Sequence, residues 1–325
     1  MIRIGARRSP LAVAQAEWVA ARLAELGHPC ELLGIDSLGD VDRRRLTEIG
    51  GTGIFATAVR EQLLADRIDV AVHSLKDLPV APAPGLVVAA IPEREDVRDV
   101  LVGLDIDQWR DGTRVGTGSP RRAVQVERIA RERGVAVEVV PIRGNVDTRL
   151  GLVRDGEVDA TLLAAAGLLR LGRLSPEAVT TGVDEDQGVM IGDLPARLLS
   201  LDVLLPAAGQ GALAVECRSD APDEVLQALA ELDHAATRAA ITAERTFLNT
   251  LEAGCLAPVG AHAAVGEDLT LRVVAGEQSS NNEQLHVARV AGSPQDAGNL
   301  GAALAREVLP LLTGTGIDQK VEEAR

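Results

Sequence analysis

The chain has 325 residues, 46% hydrophobic and 25% charged, with a formal net charge of −15 at neutral pH. That is the profile of an ordinary soluble globular protein of two or three domains. Such acidity argues against nucleic acid or an anionic membrane as the main partner, and no apolar run reaches the roughly 18 residues of a membrane span.

The first half of the sequence alternates strand and helix. Ile2-Arg3-Ile4-Gly5 reads as a strand, and Ser9-Pro10 as an N-cap with proline at the first helical position of a helix running to about Leu26. Arg7-Arg8 is a superficial twin-arginine cue, but Gln15, Glu17 and Trp18 interrupt the apolar stretch a signal peptide would need, so a reducing cytoplasm is expected. Cys30–Asp36 is a second strand. Gly50-Gly51-Thr52-Gly53 leads into a helix over Ile54–Leu64, and Ile68–Val72 and Leu86–Ile91 are strands. A second unit of the same kind starts near Asp99. It has strands at 100–102 and 113–116, a Ser119-Pro120 helix start, a strand at 135–142, a helix at 145–154, a strand at 159–163 and a helix at 164–171. Both units predict βαβ domains with parallel strands. Residues 172–200, with Asp184, Glu185 and Asp186, read as an irregular connection. A strand at 212–217 follows, then helices at 222–231 and 235–251, the second capped by Asp233. Alternating runs at 261–265, 270–274 and 286–290 predict a small antiparallel sheet, closed by a helix at 295–311. With four aromatic residues in all (Trp18, Phe55, Trp109, Phe247), the core must be built from Leu, Val, Ile and Ala.

The basic residues carry the chemistry. Of 33, two are lysines, Lys76 and Lys320. A chain that uses arginine almost everywhere places Lys76 beside Asp77 just after an apolar strand, where α/β proteins put ligand chemistry. An isolated Lys-Asp pair in a turn is more often a solvated ion pair of little energetic weight, so the rest of the sequence must decide. Residues 114–149 hold eight arginines against four acids, a local excess of positive charge in an acidic protein. Two helix starts pair a Ser-Pro cap with arginine, Arg7-Arg8-Ser9-Pro10 and Ser119-Pro120-Arg121-Arg122. Free N–H groups and a partial positive charge at a helix N-terminus, joined by guanidinium forks, make a carboxylate or phosphate receptor. Two such starts in matching positions predict one anionic ligand in the cleft between two domains, with Arg143, Arg149 and Arg170 as further cationic groups. Gly50-Gly51-Thr52-Gly53 lacks the Gly-Lys-Ser/Thr of a P-loop and no acidic cluster has magnesium-ligand spacing. Separated carboxylates therefore fit better than phosphate.

Cys30, Cys217 and Cys255 have neither metal nor disulfide-framework spacing. Cys30 and Cys217 fall in apolar strands and read as structural. Cys255, in Glu252-Ala253-Gly254-Cys255, sits in a loop that another group could reach. Without a partner histidine for a triad, it is as well suited to be an attachment point as a nucleophile.

These pieces together resemble the porphobilinogen deaminases (hydroxymethylbilane synthases). The resemblance runs from Ile2 to the C-terminal helix. Its motifs are Arg7-Arg8-Ser9-Pro10-Leu11-Ala12, Ala71-Val72-His73-Ser74-Leu75-Lys76-Asp77-Leu78-Pro79, Glu93-Arg94-Glu95-Asp96, Gly116-Thr117-Gly118-Ser119-Pro120-Arg121-Arg122, Ile142-Arg143-Gly144-Asn145-Val146-Asp147-Thr148-Arg149, Pro206-Ala207-Ala208-Gly209-Gln210-Gly211-Ala212, Thr242-Ala243-Glu244-Arg245 and Leu251-Glu252-Ala253-Gly254-Cys255. It implies an α/β protein of two periplasmic-binding-protein-like βαβ domains plus a smaller α+β C-terminal domain. The divisions would be 1–95 with 201–217, then 99–195, then 219–325. It further implies a transferase that joins four porphobilinogen units head to tail, with loss of ammonia, onto a dipyrromethane cofactor held by a thioether to Cys255. Hydrolysis would then release linear hydroxymethylbilane. No long exposed apolar stripe is evident, so a monomer is expected. On the resemblance, Asp77 is catalytic: it would bind the pyrrole N–H groups, stabilise the azafulvene cation left when ammonia departs and assist proton transfer. Lys76, Ser74, Thr117, Ser119, Arg121 and Arg122 would hold the cofactor with Asp77, and Lys76 would also take a substrate carboxylate. Arg7, Ser9, Arg143, Arg149, Arg170 and Phe55 would bind substrate.

The chain departs from the family pattern at Ser37-Leu38-Gly39-Asp40, where the family often has Thr-Arg-Gly-Asp, and at Glu48 and Thr52, where it often has lysines. Three cations are thus missing from a would-be lid, with Arg43, Arg44 and Arg45 nearby as candidate replacements. Their loss motivates the competing reading, a non-catalytic receptor for polycarboxylates.

Overall fold

A computed structural model describes residues 1–36, 54–181, 188–252, 257–276 and 285–312. The first sheet is built from β1 (Ile2–Arg7), β2 (Cys30–Ile35), β3 (Val70–Ser74) and β4 (Leu86–Ala90). The second takes β5 (Asp99–Gly103), β6 (Arg114–Gly116), β7 (Glu138–Val140), β8 (Ala160–Ala164), β9 (Val189–Ile191) and β10 (Leu194–Leu198). The chain then returns, and β11 (Leu213–Arg218) completes the first sheet. The orders are β2-β1-β3-β11-β4 and β7-β6-β8-β5-β10-β9. In each, three parallel strands are followed by one antiparallel strand entering directly from a crossover, β11 against β3 and β5 against β8. The expectation of parallel strands is corrected by these two strands, whose direction is set by arrival from the other domain, and by β9, the outer strand of a hairpin with β10.

Helices cover the sheets: α1 (Pro10–Glu25) and α2 (Ile54–Leu64) in the first unit, and α3 (Pro120–Glu132), α4 (Val146–Arg154), α5 (Ala165–Arg170) and α6 (Pro176–Thr181) in the second. The aliphatic core is as expected. Ile4, Val19, Leu23, Val70 and Val215 fill one α1-to-sheet cluster, and Val115, Val126, Leu162 and Leu204 fill its counterpart. After α7 (Asp223–Leu232), the last unit packs α8 (Ala235–Thr250) and α9 (Ala297–Val308) on an antiparallel sheet of β12 (Val259–Val265), β13 (Leu269–Gly276) and β14 (Leu285–Gly292) around the fully buried Phe247. The fold is α/β, with two sheet domains and a smaller α+β unit. No described helix is long and apolar enough to cross a membrane.

The kinship of the two large units reaches individual side chains. At the start of β1, Arg3 folds back on Asp69, with its backbone N–H 2.8 Å and its Nη2 2.7 Å from the carboxylate. At the start of β6, Arg114 does the same to Asp159, at 2.8 Å from both groups. The clasp ties each first strand to the entry of the third, and it explains why β3 begins at Val70 and reaches Ser74 instead of spanning 68–72. Two further expectations fail for local reasons. Residues 172–200 are not merely a connection, because they include α6 and a β9–β10 hairpin that pairs with β5; strands of three and five residues give no readable period and are stabilised by pairing alone. Asp233 does not cap α8. Its carboxylate is drawn to the Ile91 N–H (2.7 Å) and to Arg238, and the His234 ring accepts from Thr237 N instead.

The segments that cross between the domains are locked to α8 by one buried ion pair. Arg94 reaches the fully buried Glu244 at 2.6 and 3.1 Å, and the same carboxylate accepts the backbone N–H groups of Gly209 and Ala263, each at 2.7 Å. Removing one partner leaves the other charge buried and unpaired, which typically costs about 3–5 kcal/mol. Arg94→Ala is therefore expected to lower the urea midpoint strongly; a loss below about 1 kcal/mol would show that the pair does not hold the units together.

Candidate active site

The strand β3 ends in a single 3-10 turn over Leu75–Asp77. Leu75 and Leu78 turn inward and are buried, and the Leu75 N–H is fixed on the Ala212 carbonyl at 3.0 Å. This leaves Lys76 half-buried and Asp77 exposed at the mouth of the cleft. Ser74 is held by α1, its Oγ 2.8 Å from Gln15 Nε2. Ser9 is the N-cap of α1, yet its hydroxyl makes no capping bond. Arg7, Ser9, Gln15, His73, Ser74 and Asp77 line one pocket of about 70 Å³, so two motifs far apart in sequence meet on one wall.

The second domain supplies the facing wall. Ser119 caps α3, again without a side-chain capping bond, and its N–H is held by Thr117 Oγ1 at 3.1 Å. Proline stands at the first position of each helix, where its missing N–H is an orphan in any case, and neither serine hydroxyl is engaged by the N–H groups a cap would serve. Arg121 and Arg122, in the first turn of α3, are buried and share the carboxylate of Asp99: Arg121 Nη2 lies 2.9 Å from Oδ2 and Arg122 Nη2 2.6 Å from Oδ1. Each also donates to a main-chain carbonyl, of Leu205 and Leu162 respectively. Among the described residues, their Nε–H groups have no partner. Burial would raise the Asp99 pKa, but Arg121 and Arg122 overcome it and hold the carboxyl well below its usual range.

Burial lowers Lys76 to about 8, with Asp77 opposing and Arg122 adding to the shift. Burial also lowers Arg149 to about 10, with Arg122 pushing it down further and Asp77 opposing. Asp77 thus acts electrostatically on both walls. Arg149 Nε donates to the Gly144 carbonyl at 3.0 Å, and Arg143 lies exposed on the same loop. Arg170 is directed to the crossover, with Nη2 2.7 Å from the Gly211 carbonyl. Phe55 lies in the first turn of α2, but its side chain is outside the described residues. Also outside them are Cys255, Leu38, Glu48, Thr52 and the Arg43–Arg45 run. Cys30 and Cys217 sit in strands β2 and β11, their thiols pushed up by burial.

Sequence reasoning gave no role to three groups that the structure brings against this site. In the sequence Asp99 marks only the start of the second unit, and Gln210 only part of a glycine-rich motif. The third is the buried carboxylate of Glu216. It lies 2.7 Å from Arg60 and 3.3 Å from His73 Nε2, beneath the pocket. Burial would raise Glu216, but the neighbouring His73 and Arg60 bring it down to about 2. A carboxyl depressed in the fold contributes stability that is complete above its unfolded pKa and is lost as pH falls through the folded value. The wild type should therefore lose on the order of 3 kcal/mol between about pH 4.5 and 2 that a Glu216→Gln variant does not lose, read by urea denaturation across that range.

Residues 2–226 match the family model for the dipyromethane cofactor binding domain of porphobilinogen deaminase, and residues 238–310 match that for the C-terminal domain of the same enzyme. The chain belongs to the porphobilinogen deaminase family. It is 49% identical over 320 residues to porphobilinogen deaminase 1 of Streptomyces coelicolor, covering 95% of this chain and 94% of that one. It is 46% identical over 330 residues to porphobilinogen deaminase of Thermobifida fusca, covering 99% and 96%. Among solved structures, a periplasmic substrate-binding protein of an ABC transporter from Coxiella burnetii is similar at 15% identity and a TM-score of 0.40, covering 71% of this chain and 91% of that one. As a member of this family, the chain is a transferase of tetrapyrrole biosynthesis with a dipyrromethane cofactor binding domain.

The residues present fit that cofactor. Dipyrromethane is anionic through its acetate and propionate groups, and the cleft offers the unpartnered Nε–H groups of Arg121 and Arg122, the Lys76 ammonium and two serine hydroxyls free of capping duty.

Proposed function

We propose that this chain makes hydroxymethylbilane with Asp77 as its catalytic group and with its cofactor attached at Cys255. The observation that carries the reading is the placement of Asp77, exposed on the rim of a pocket shared with Arg7 and Ser9 and acting on Lys76 and Arg149. Bound dipyrromethane would supply the free pyrrole carbon that receives the first porphobilinogen, each later unit adding to the end of the growing chain. Thr117, Ser119, Arg121 and Arg122 hold its carboxylates, with Ser74 and Lys76 from the other wall. Arg7, Ser9, Arg143 and Arg149 take the carboxylates of incoming substrate, Arg170 steadies the crossover beside them, and Phe55 flanks the site. Asp77 accepts the pyrrole N–H groups and faces the positive charge that forms as the aminomethyl nitrogen leaves as ammonia. A carboxylate about 4 Å from that charge contributes roughly 4 kcal/mol at an effective dielectric of 20. Charge-assisted hydrogen bonds to each carboxylate contribute about 1.5–3 kcal/mol.

The domain division 1–95 with 201–217, 99–195 and 219–325 belongs to this reading, as do a monomeric state and a cytoplasmic location. The test is stoichiometric. Incubation of the holoenzyme with porphobilinogen should release one ammonia per unit added and yield hydroxymethylbilane. Saturable binding with no ammonia would instead identify a polycarboxylate receptor.

A further inference from the structure

Gln210 lies where the chain returns from the second domain to the first, and it is completely buried. Gly209 and Gly211, on either side, have φ of 75° and 87°. A Cβ at Gly209 would come within 2.4 Å of the Leu75 side chain, and one at Gly211 within 2.3 Å of the Glu95 carbonyl. Only glycine fits either place, so the backbone drives Gln210 into the angle between the site and the crossover. Its main-chain carbonyl is fixed by Arg94 Nε at 2.8 Å. Its side-chain amide joins three groups. Nε2 donates to the Val97 carbonyl at 2.8 Å and to Asp99 Oδ1 at 3.0 Å, and Oε1 accepts from Lys76 Nζ at 3.4 Å. These neighbours fix the amide orientation, since the nitrogen faces acceptors and the oxygen faces an ammonium.

We infer that Gln210 is a positioning residue that sets the Lys76 ammonium toward pyrrole carboxylates and links it, through Asp99, to the Arg121–Arg122 pair. The inference rests on the reading of Lys76 as a carboxylate ligand. An amide suits this place for a definite reason. Lys76, Arg121 and Arg122 share it with Asp99, and Asp77 stands beside Lys76 on the same turn. Gln210 satisfies a cation on one side and an anion on the other without adding charge. The cleft therefore keeps the positive excess that a growing polycarboxylate needs. A carboxylate here would grip Lys76 as well, but it would cancel that excess and repel Asp99.

The two lysines of this chain make the test clean. Lysine-selective ¹⁵N labelling of the holoenzyme gives two side-chain amine signals, assigned with Lys76→Arg, and each is titrated between pH 6 and 11. Gln210→Met fills the same space without an acceptor, and Gln210→Glu restores an acceptor with charge. The Lys76 midpoint should fall by about one pH unit in the first and rise by about one in the second. KM for porphobilinogen should rise about tenfold in both, with kcat within about threefold of wild type. A residue that only packs the crossover would lower stability and leave the midpoint in place. Unmoved midpoints in the folded variants would overturn the inference. Shifted midpoints with unchanged KM would confirm the contact and overturn Lys76 as a ligand of substrate carboxylates. If Gln210→Met does not accumulate as folded protein, the upward shift and raised KM of Gln210→Glu decide alone.

Discussion

Asp77→Asn is expected to fold normally and to lose turnover by about 10²–10⁴-fold or more, the range for a positioned acid–base group that also carries charge. The expectation of normal folding comes from its setting. The turn that presents Asp77 is fixed by Leu75, Leu78 and the Leu75 N–H on Ala212, none of which uses the carboxylate. Asparagine keeps the size and one acceptor oxygen, so a pyrrole N–H can still be met. What disappears is the negative charge, and with it the stabilisation of positive charge as ammonia leaves. Asp77 also favours the charged forms of Lys76 and Arg149, so the variant should show a lower Lys76 midpoint as a second, independent sign. Single-turnover ammonia release, with circular dichroism melting as the control for folding, is the measurement. Near-normal turnover would remove Asp77 from the mechanism.

Cys255→Ala is expected to give a folded protein with no activity and no cofactor. Intact mass under denaturing conditions should show the wild type heavier than its sequence by two linked pyrrole units, the excess mapping to the Cys255 peptide and vanishing in the variant. The loop joins two firm elements. On one side α8 is anchored by Phe247 and Glu244 and ends at Thr250, with Leu251 as its C-cap and Glu252 in the left-handed region at φ 52°. On the other side β12 is paired along its length with β13. Loss of the thiol should thus leave the surrounding fold in place. It should also lower the melting temperature, because a bound anion no longer offsets Lys76, Arg121, Arg122 and Arg149, whose mutual repulsion Asp99 relieves only in part. Full activity in the variant would refute thioether attachment.

What was legible in the sequence was whatever rests on local chemistry. Proline at Pro10 and Pro120 marked two helix starts to the residue, because its fixed φ and missing N–H suit only that position. Continuous apolar runs marked the strands that became β3, β8 and β11. The shortage of lysine pointed to Lys76, and eight ordered motifs pointed to the family. Weak periods hid β9 and β10, which exist through pairing with each other and of β10 with β5. The matching Arg3–Asp69 and Arg114–Asp159 clasps were hidden for another reason: their partners are 66 and 45 residues apart, and no spacing rule joins them.

The sequence by itself determined the residue types, the element starts, the family and thus the chemistry, since each depends on covalent character or on neighbours a few positions away. Only the tertiary structure decided that Arg121 and Arg122 share Asp99, that Glu216 lies under the pocket between Arg60 and His73, that Arg170 faces the crossover and that Gln210 touches Lys76. Those contacts bring together groups from distant parts of the chain, and the Arg170–Gly211 contact also joins the two large units. Charge, burial and hydrogen-bond direction act through space, so their effect on each group is set where the chain folds back on itself and not by position along it.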